Sequence, residues 1–202
     1  MKIISTIVLS MAFLHMQAQD NLPPAQDNVQ QARDNAPKGF RKGMVVLEDS
    51  TVQSGYIREN FRGDASLIFI AEKSEKKQHL DGSQVRSVSI GDVRFICFKG
   101  DFFRVISEGD LYFLQKSSDA SGKPVYNGTE AMLINGTDGR PGDYFVYDAK
   151  QQLLDWVTRK TLGKVITETF AGCTAAIDKA KAMQGDMSGL KEAVDLYNSR
   201  NK

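Results

Sequence analysis

Residues 85–116 read VRSVSIGDVRFICFKGDFFRVISEGDLYFLQK, and three Gly-Asp pairs divide the stretch at nine-residue intervals: Gly91-Asp92, Gly100-Asp101 and Gly109-Asp110. Between them lie seven-residue segments dominated by β-branched and aromatic side chains. The spacing predicts four antiparallel strands joined by two-residue turns, because glycine at the first turn position supplies the positive φ that a tight hairpin needs. Those turns set a register: Ile90 faces Val93, Lys99 faces Phe102, and Glu108 faces Leu111. Side chains alternate across a sheet, so one face carries Val88, Phe95, Ile106 and Phe113 and the other carries Ser87, Ile96, Val105 and Leu114. Both faces are apolar at the centre, whereas a sheet with one wet face alternates more cleanly. The second face therefore requires cover, either by curling into a barrel or sandwich with earlier strands or by helices.

The same register places one polar row, Arg86, Cys97, Arg104 and Gln115, on the first face. Two arginines and an amide on apolar ground make Arg86, Arg104 and Gln115 candidate ligand-binding residues for an anion held in a barrel mouth. The competing reading is a sheet rim, with aliphatic stems packed and guanidinium groups in water.

Upstream, Met44–Leu47 and Thr51–Arg58 read as a hairpin across Glu48-Asp-Ser50, Phe61–Asp64 as a bend, and Leu67–Ala71 as a strand. Residues 72–83, with Lys73, Lys76 and Lys77, read as a solvated charged connection. Downstream, Asn127-Gly128 and Asn135-Gly136 signal type I′ turns on either side of Glu130–Ile134. A glycine-rich loop over 136–142 leads to a last strand at Asp143–Tyr147. The period then changes. Leu153, Leu154, Trp156 and Val157 predict a short helix; Cys173, Ala176, Ile177 and Ala180 predict a second; Leu190, Ala193, Val194 and Tyr197 predict a third, with Asp186 and Ser188 as cap candidates. The expected fold is α+β: an antiparallel β-meander over 40–148, barrel-like or sandwich-like, followed by a helical tail over 149–202 whose apolar stripes pack on the sheet.

The N-terminus has the marks of an export signal over 1–19: Lys2, an apolar run from Ile3 to Leu14, and Met16-Gln-Ala-Gln-Asp20 as a cleavage region. Residues 20–39 are poor in apolar side chains and repeat Ala25-Gln-Asp-Asn28 as Ala32-Arg-Asp-Asn35, the composition of a flexible leader. No later run reaches the ~20 apolar residues of a membrane span. A periplasmic or secreted location is expected, with no transmembrane segment in the mature chain. The 26 basic and 25 acidic residues leave no electrostatic footprint for nucleic acid.

Chemistry-bearing motifs are sparse. Past His15, the chain has one histidine, His79, within a charged stretch and without a nucleophile motif nearby. A zinc site needs several His or Cys ligands, so no metal site, cofactor or catalytic residue is assigned. Glu108 with Asp110, and Asp138 with Asp143, are carboxylate pairs of the kind glycoside hydrolysis uses, but turn chemistry suffices for them. The loop over 136–143 lacks the Gly-Lys-Ser/Thr of a phosphate loop and the spaced acids of an EF-hand. Cys97 and Cys173 form a possible disulfide in an oxidising compartment, or are two small core residues. Tyr56, Phe61 and Phe102 suit either a glycan-stacking patch or the core.

The order of Gly55-Tyr-Ile57, Leu67-Ile-Phe69, Val85–Ile90, Gly109-Asp-Leu-Tyr112 and Tyr144-Phe-Val146, followed by Phe170-Ala-Gly-Cys173 and Val194–Asn198, resembles uncharacterised exported proteins of Bacteroidetes, as does the signal ending Gln-Ala-Gln. The resemblance implies a β-rich domain with a helical C-terminal tail and carries no established activity or site residue. The expected function is a non-catalytic envelope or periplasmic module binding a protein, glycan or small ligand. A carboxylate-dependent hydrolase of envelope or dietary polymers would instead require two converging acids, and a lipocalin-like carrier would require a roomy apolar interior.

Overall fold

The computed structural model describes residues 36–126, 130–183 and 187–200. The expected signal, nearly all of the leader, the Asn127-Gly128 turn and the Asp186 cap lie outside the described residues, as does the side chain of Ser188.

The fold is α+β, built on one open antiparallel sheet of ten strands. In chain order its elements are β1 (Arg41–Leu47), β2 (Val52–Asn60), the single turn α1 (Phe61–Asp64), β3 (Ser66–Ala71), β4 (Lys77–Asp81), β5 (Val85–Ile90), β6 (Val93–Phe98), β7 (Asp101–Ser107) and β8 (Leu111–Lys116). A separate two-stranded ribbon follows, β9 (Pro124–Tyr126) and β10 (Ala131–Leu133), then β11 (Tyr144–Asp148) and β12 (Leu153–Val157). Next, α2 (Leu162–Lys164) runs into a π-helical turn (Val165–Thr169), and α3 (Thr174–Ala182) and α4 (Met187–Ser199) end the chain. The strand order is β12-β11-β8-β7-β6-β5-β1-β2-β3-β4.

Three expectations need correction. Residues 77–81 form the edge strand β4 rather than part of a loop; charged side chains are what protects an exposed edge from further pairing, and they disguise the strand. Leu153–Val157 form the other edge strand, β12, not a helix, because β11 offers them an antiparallel partner from Tyr144↔Val157 to Asp148↔Leu153. The helical tail therefore starts later than residue 149. Asn135-Gly136 does not turn a hairpin: β10 pairs back to β9, and the chain after Gly136 runs as a loop to β11.

The β5–β6 register matches the turn reading, with Val88↔Phe95, and β7–β8 matches it at Arg104↔Gln115 and Val105↔Leu114 but shifts by one residue nearer the turn, where Ser107 rather than Ile106 stands opposite Phe113. Between β6 and β7 the register slips by two residues. The turn is Lys99-Gly100, with φ of 49° and 84°, and Asp101 belongs to β7 opposite Phe98. Both central residues have the positive φ of a type I′ turn, which accommodates the twist of the flanking strands. An even slip keeps every side chain on its expected face but changes its neighbour. Phe95 stands opposite Arg104, and Cys97 opposite Phe102.

Both faces find cover by different means. In the half from β4 to β6 the sheet curls until Gly82, just past β4, bridges Gly100 at the β6–β7 turn. A Cβ on Gly82 would lie 2.0 Å from the Gly100 carbonyl oxygen, so the closure needs glycine there. The concave face of the curl is filled by Val45, Ile57, Leu67, Phe69, Val88, Ile90, Phe95 and Phe102, with Phe61 of α1 stacked on Phe102 at 4.4 Å. The same face of β8, β11 and β12 presents Leu111, Phe113, Val146 and Val157 to Phe170, Ala176, Ala180, Leu190, Ala193 and Val194 of the helical segment. Small residues on α3 and α4 bring the two helices close to one another, and α4 lies against β7 and β8. The Asn198 amide clasps Leu111, its Nδ2 donating to the Leu111 carbonyl at 2.8 Å and its Oδ1 accepting from the Leu111 N–H at 3.0 Å. This occurs beside the register shift between Val105 and Ser107, where the β7–β8 ladder is irregular. The opposite face is covered by its own aromatics: Phe103, Leu114 and Phe145 are buried beneath Phe98, Tyr112, Tyr147 and Leu154.

Candidate functional site

The geometry splits the expected polar row. Along β7, three alternate side chains share one face and meet three environments: Phe102 enters the core of the curl, Arg104 faces a cleft, and Ile106 packs against the helix-covered cluster. Gln115, opposite Arg104 on β8, lines the same cleft and donates its Nε2 to the Gly142 carbonyl at 3.1 Å. Arg86 is elsewhere. Its guanidinium donates to Ser50 Oγ at 3.1 Å beside the β1–β2 turn, and the two-residue slip puts Phe102 where Arg104 was expected, opposite Cys97. The structure thus brings together Arg104 and Gln115 and leaves Arg86 out.

The cleft holds about 580 Å³. Its floor is Phe95 and Val93 of β6 with Phe61 of α1; the Phe61 and Phe95 rings meet edge to face at 4.9 Å. Its walls are Arg62 and Gly63 of α1, Arg41 and Glu59 from β1 and β2, and Pro141 and Gly142 of the loop before β11. Arg41 and Glu59 form an ion pair with each other. Arg62 was hidden from the sequence reading because the bend at residues 61–64 looked like plain punctuation. The available signal was a large aromatic and a cation together inside that bend. Of the candidates for an aromatic surface patch, Phe61 and Phe102 belong to the core.

The glycine-rich loop is explained by one buried cation. Lys116 Nζ, fully enclosed, donates to the carbonyls of Thr137, Asp138 and Gly139 at 2.7, 3.3 and 3.1 Å. It also pairs with Asp101 Oδ2 at 3.1 Å. Asp101 is equally enclosed and accepts from Ser118 Oγ, the Ala120 N–H, the Thr137 N–H and Thr137 Oγ1. Positive φ at Gly136 and Gly139 helps the loop bend its carbonyls toward the ammonium. The loop that superficially suggested a phosphate or calcium site serves to wrap a lysine.

The other chemistry-bearing residues are engaged structurally. Glu108 binds Arg94, Asp110 binds Lys150, and Asp143 accepts from the Arg140 N–H. Glu108 and Asp110 are therefore tied to separate cations, and Asp143 to a turn. His79 lies on β4, with Ser66 Oγ at 3.1 Å and Asp64 Oδ2 at 3.3 Å. The residue types are those of a hydrolytic triad, but both partners meet the same ring nitrogen, Nε2, and Ser66 is fully buried. A triad needs the acid on one nitrogen and the nucleophile on the other. Among the described residues, no three His, Cys, Asp or Glu side chains converge as a metal site.

Cys97 and Cys173 are both free thiols. Cys173 sits in the helix-covered cluster, while Cys97 packs against the core of the curl, so the disulfide alternative does not fit. Cys97 borders a second cavity of about 530 Å³ beside the Gly82–Gly100 closure, with Glu48, Lys99, Ile134 and Asn135. Burial, then the nearby carboxylates of Glu48, Asp101 and Asp81, pushes its thiol well above the ordinary range, which keeps it protonated and unreactive.

No protein-family model, curated protein or solved structure matches the chain.

Proposed function

We propose that the chain is a non-catalytic binding module of the cell envelope, periplasmic or secreted, that receives a small ligand in the cleft on its concave sheet face. The observation that carries this reading is the combination of an apolar floor of Phe61, Val93 and Phe95 with the exposed guanidinium of Arg104 directly beside it. Ligand sites are typically concave, largely apolar, and furnished with a few placed polar groups, at volumes of roughly 300–1,000 Å³. Binding without turnover is supported by the lining itself. It contributes one carboxylate, Glu59, already engaged by Arg41, whereas glycoside hydrolysis uses two. A carrier of the lipocalin kind is less well supported, since Phe61, Phe95 and Phe102 occupy the interior that a carrier would leave open. Export rests on the apolar run from Ile3 to Leu14 and the small-residue region after it.

Fragment screening by two-dimensional NMR on the full-length chain tests this reading. Shift changes from binding fragments are expected to gather on Phe61, Val93, Phe95, Arg104 and Gln115. Binders that gather on another surface, or a library without binders, would overturn it.

A further inference from the structure

We infer that the ligand is a small dianion carried on a flat apolar group, held by Arg104 and Arg62; this rests on the cleft being the binding site. The first observation concerns partners. Five arginines lie on strands among the described residues, and four are committed: Arg41 to Glu59, Arg94 to Glu108, Arg86 to Ser50, and Arg58 over the Phe40 ring at 5.2 Å. Arg104 has no partner among the described residues, although it stands between two apolar clusters on its own strand face. Arg62, across the cleft on α1, has none either.

The second observation is charge. The lining holds Arg41, Arg62, Arg104 and Lys116 against Glu59. Arg41 is neutralised by Glu59 and Lys116 by Asp101 behind the wall, which leaves two positive charges unmatched. A ligand bearing two negative charges completes that balance. The planar guanidinium fork matches the oxygens of a carboxylate or a phosphoryl group two at a time, and gains strength beside apolar surface that excludes water. Phe61, Phe95 and Pro141 then favour a flat body against which rings can stack. A dicarboxylate and a phosphomonoester share this chemistry.

Calorimetric titration of the full-length chain at pH 7.5 with phenyl phosphate, isophthalate and neutral benzamide tests the inference; a phosphomonoester is largely dianionic there, its second pKa being about 6. At least one dianion is expected to bind ten-fold or more tightly than benzamide. Arg104→Gln and Arg62→Gln should each weaken that binding ten-fold or more, with Arg86→Gln unchanged. Preference for phenyl phosphate identifies a phosphoryl ligand, and preference for isophthalate a dicarboxylate. Benzamide matching the dianions, or indifference to both Arg104→Gln and Arg62→Gln, overturns the inference while leaving the cleft reading intact. Failure of both dianions to bind overturns it as well, and the NMR mapping then decides separately whether the cleft binds anything.

Discussion

Asp101 closes a Gly-Asp pair, where turn chemistry predicts an exposed carboxylate, yet it is sealed beside Lys116 with every oxygen hydrogen-bonded. The loop over 136–142 exists in its present shape because those two charges must be satisfied away from water. Breaking a buried pair by removing one partner leaves an uncompensated charge and costs roughly 3–5 kcal/mol. Lys116→Met should lower stability by about that amount in urea denaturation, whereas Arg86→Gln, an exposed change, should stay within about 0.5 kcal/mol of the parent. A loss under about 1 kcal/mol for Lys116→Met would show that water reaches the pair. The sequence carried no sign of this arrangement. A Gly-Asp at regular spacing reads as a turn, and only the positive φ of Lys99 moves the turn back one position and delivers Asp101 into the strand. By contrast Arg104 and Gln115 were legible, since the register counted back from Gly109-Asp110 holds at their position and shifts only nearer the turn, between Val105 and Ser107.

The elements were legible in proportion to their periodicity. The stripes of α3 and α4 announce helices because small and large apolar residues recur every three to four positions, and the structure buries those faces on the sheet. The edge strands were not legible. The five residues of β12 fit a helical stripe as well as a strand, and β4 is mostly polar. Arg62 was missed for the same reason, since a four-residue turn has no period to read. Attachment of α4 depends on polar clasps as well as on its stripe. Asp195 accepts from Ser107 of β7 and from Lys191 one turn earlier on its own helix. Partial burial pushes its carboxyl up, but the hydrogen bonds from Lys191 and Ser107 outweigh this and hold it below its ordinary 3.8. A carboxyl depressed in the folded state stabilises the fold above its unfolded pKa and loses that contribution as pH falls through the folded value. Asp195→Asn should therefore be less stable than the parent near neutrality, with the gap narrowing below pH 3.8 and vanishing in stronger acid. Denaturation curves at a series of pH values check this; a gap constant with pH would assign the Asp195 effect to packing.

On one face of the ten-stranded sheet two cores lie side by side, and the cleft opens where they meet, with Phe102 of β7 in one, Ile106 against the other and Arg104 between. The division also separates the thiols. Cys97 and Cys173 belong to different clusters, so the freshly purified chain, denatured without reductant, should take up two alkylating groups per molecule by mass spectrometry. An unalkylated species two mass units light would place the cysteines in one bond and contradict the described arrangement. The general plan was legible because it needs only alternation and turn spacing, whereas the cleft depends on how far the sheet curls, which is set by the Gly82–Gly100 approach between residues distant in sequence. The burial of Lys116 has a practical corollary. Mobile ions screen charges that face water and scarcely touch those that do not. Raising the ionic strength will therefore weaken the pull of Arg104 and Arg62 on an anion while leaving the Lys116–Asp101 clamp at strength, so sodium chloride alone can tell the protein's grip on its ligand from its grip on itself.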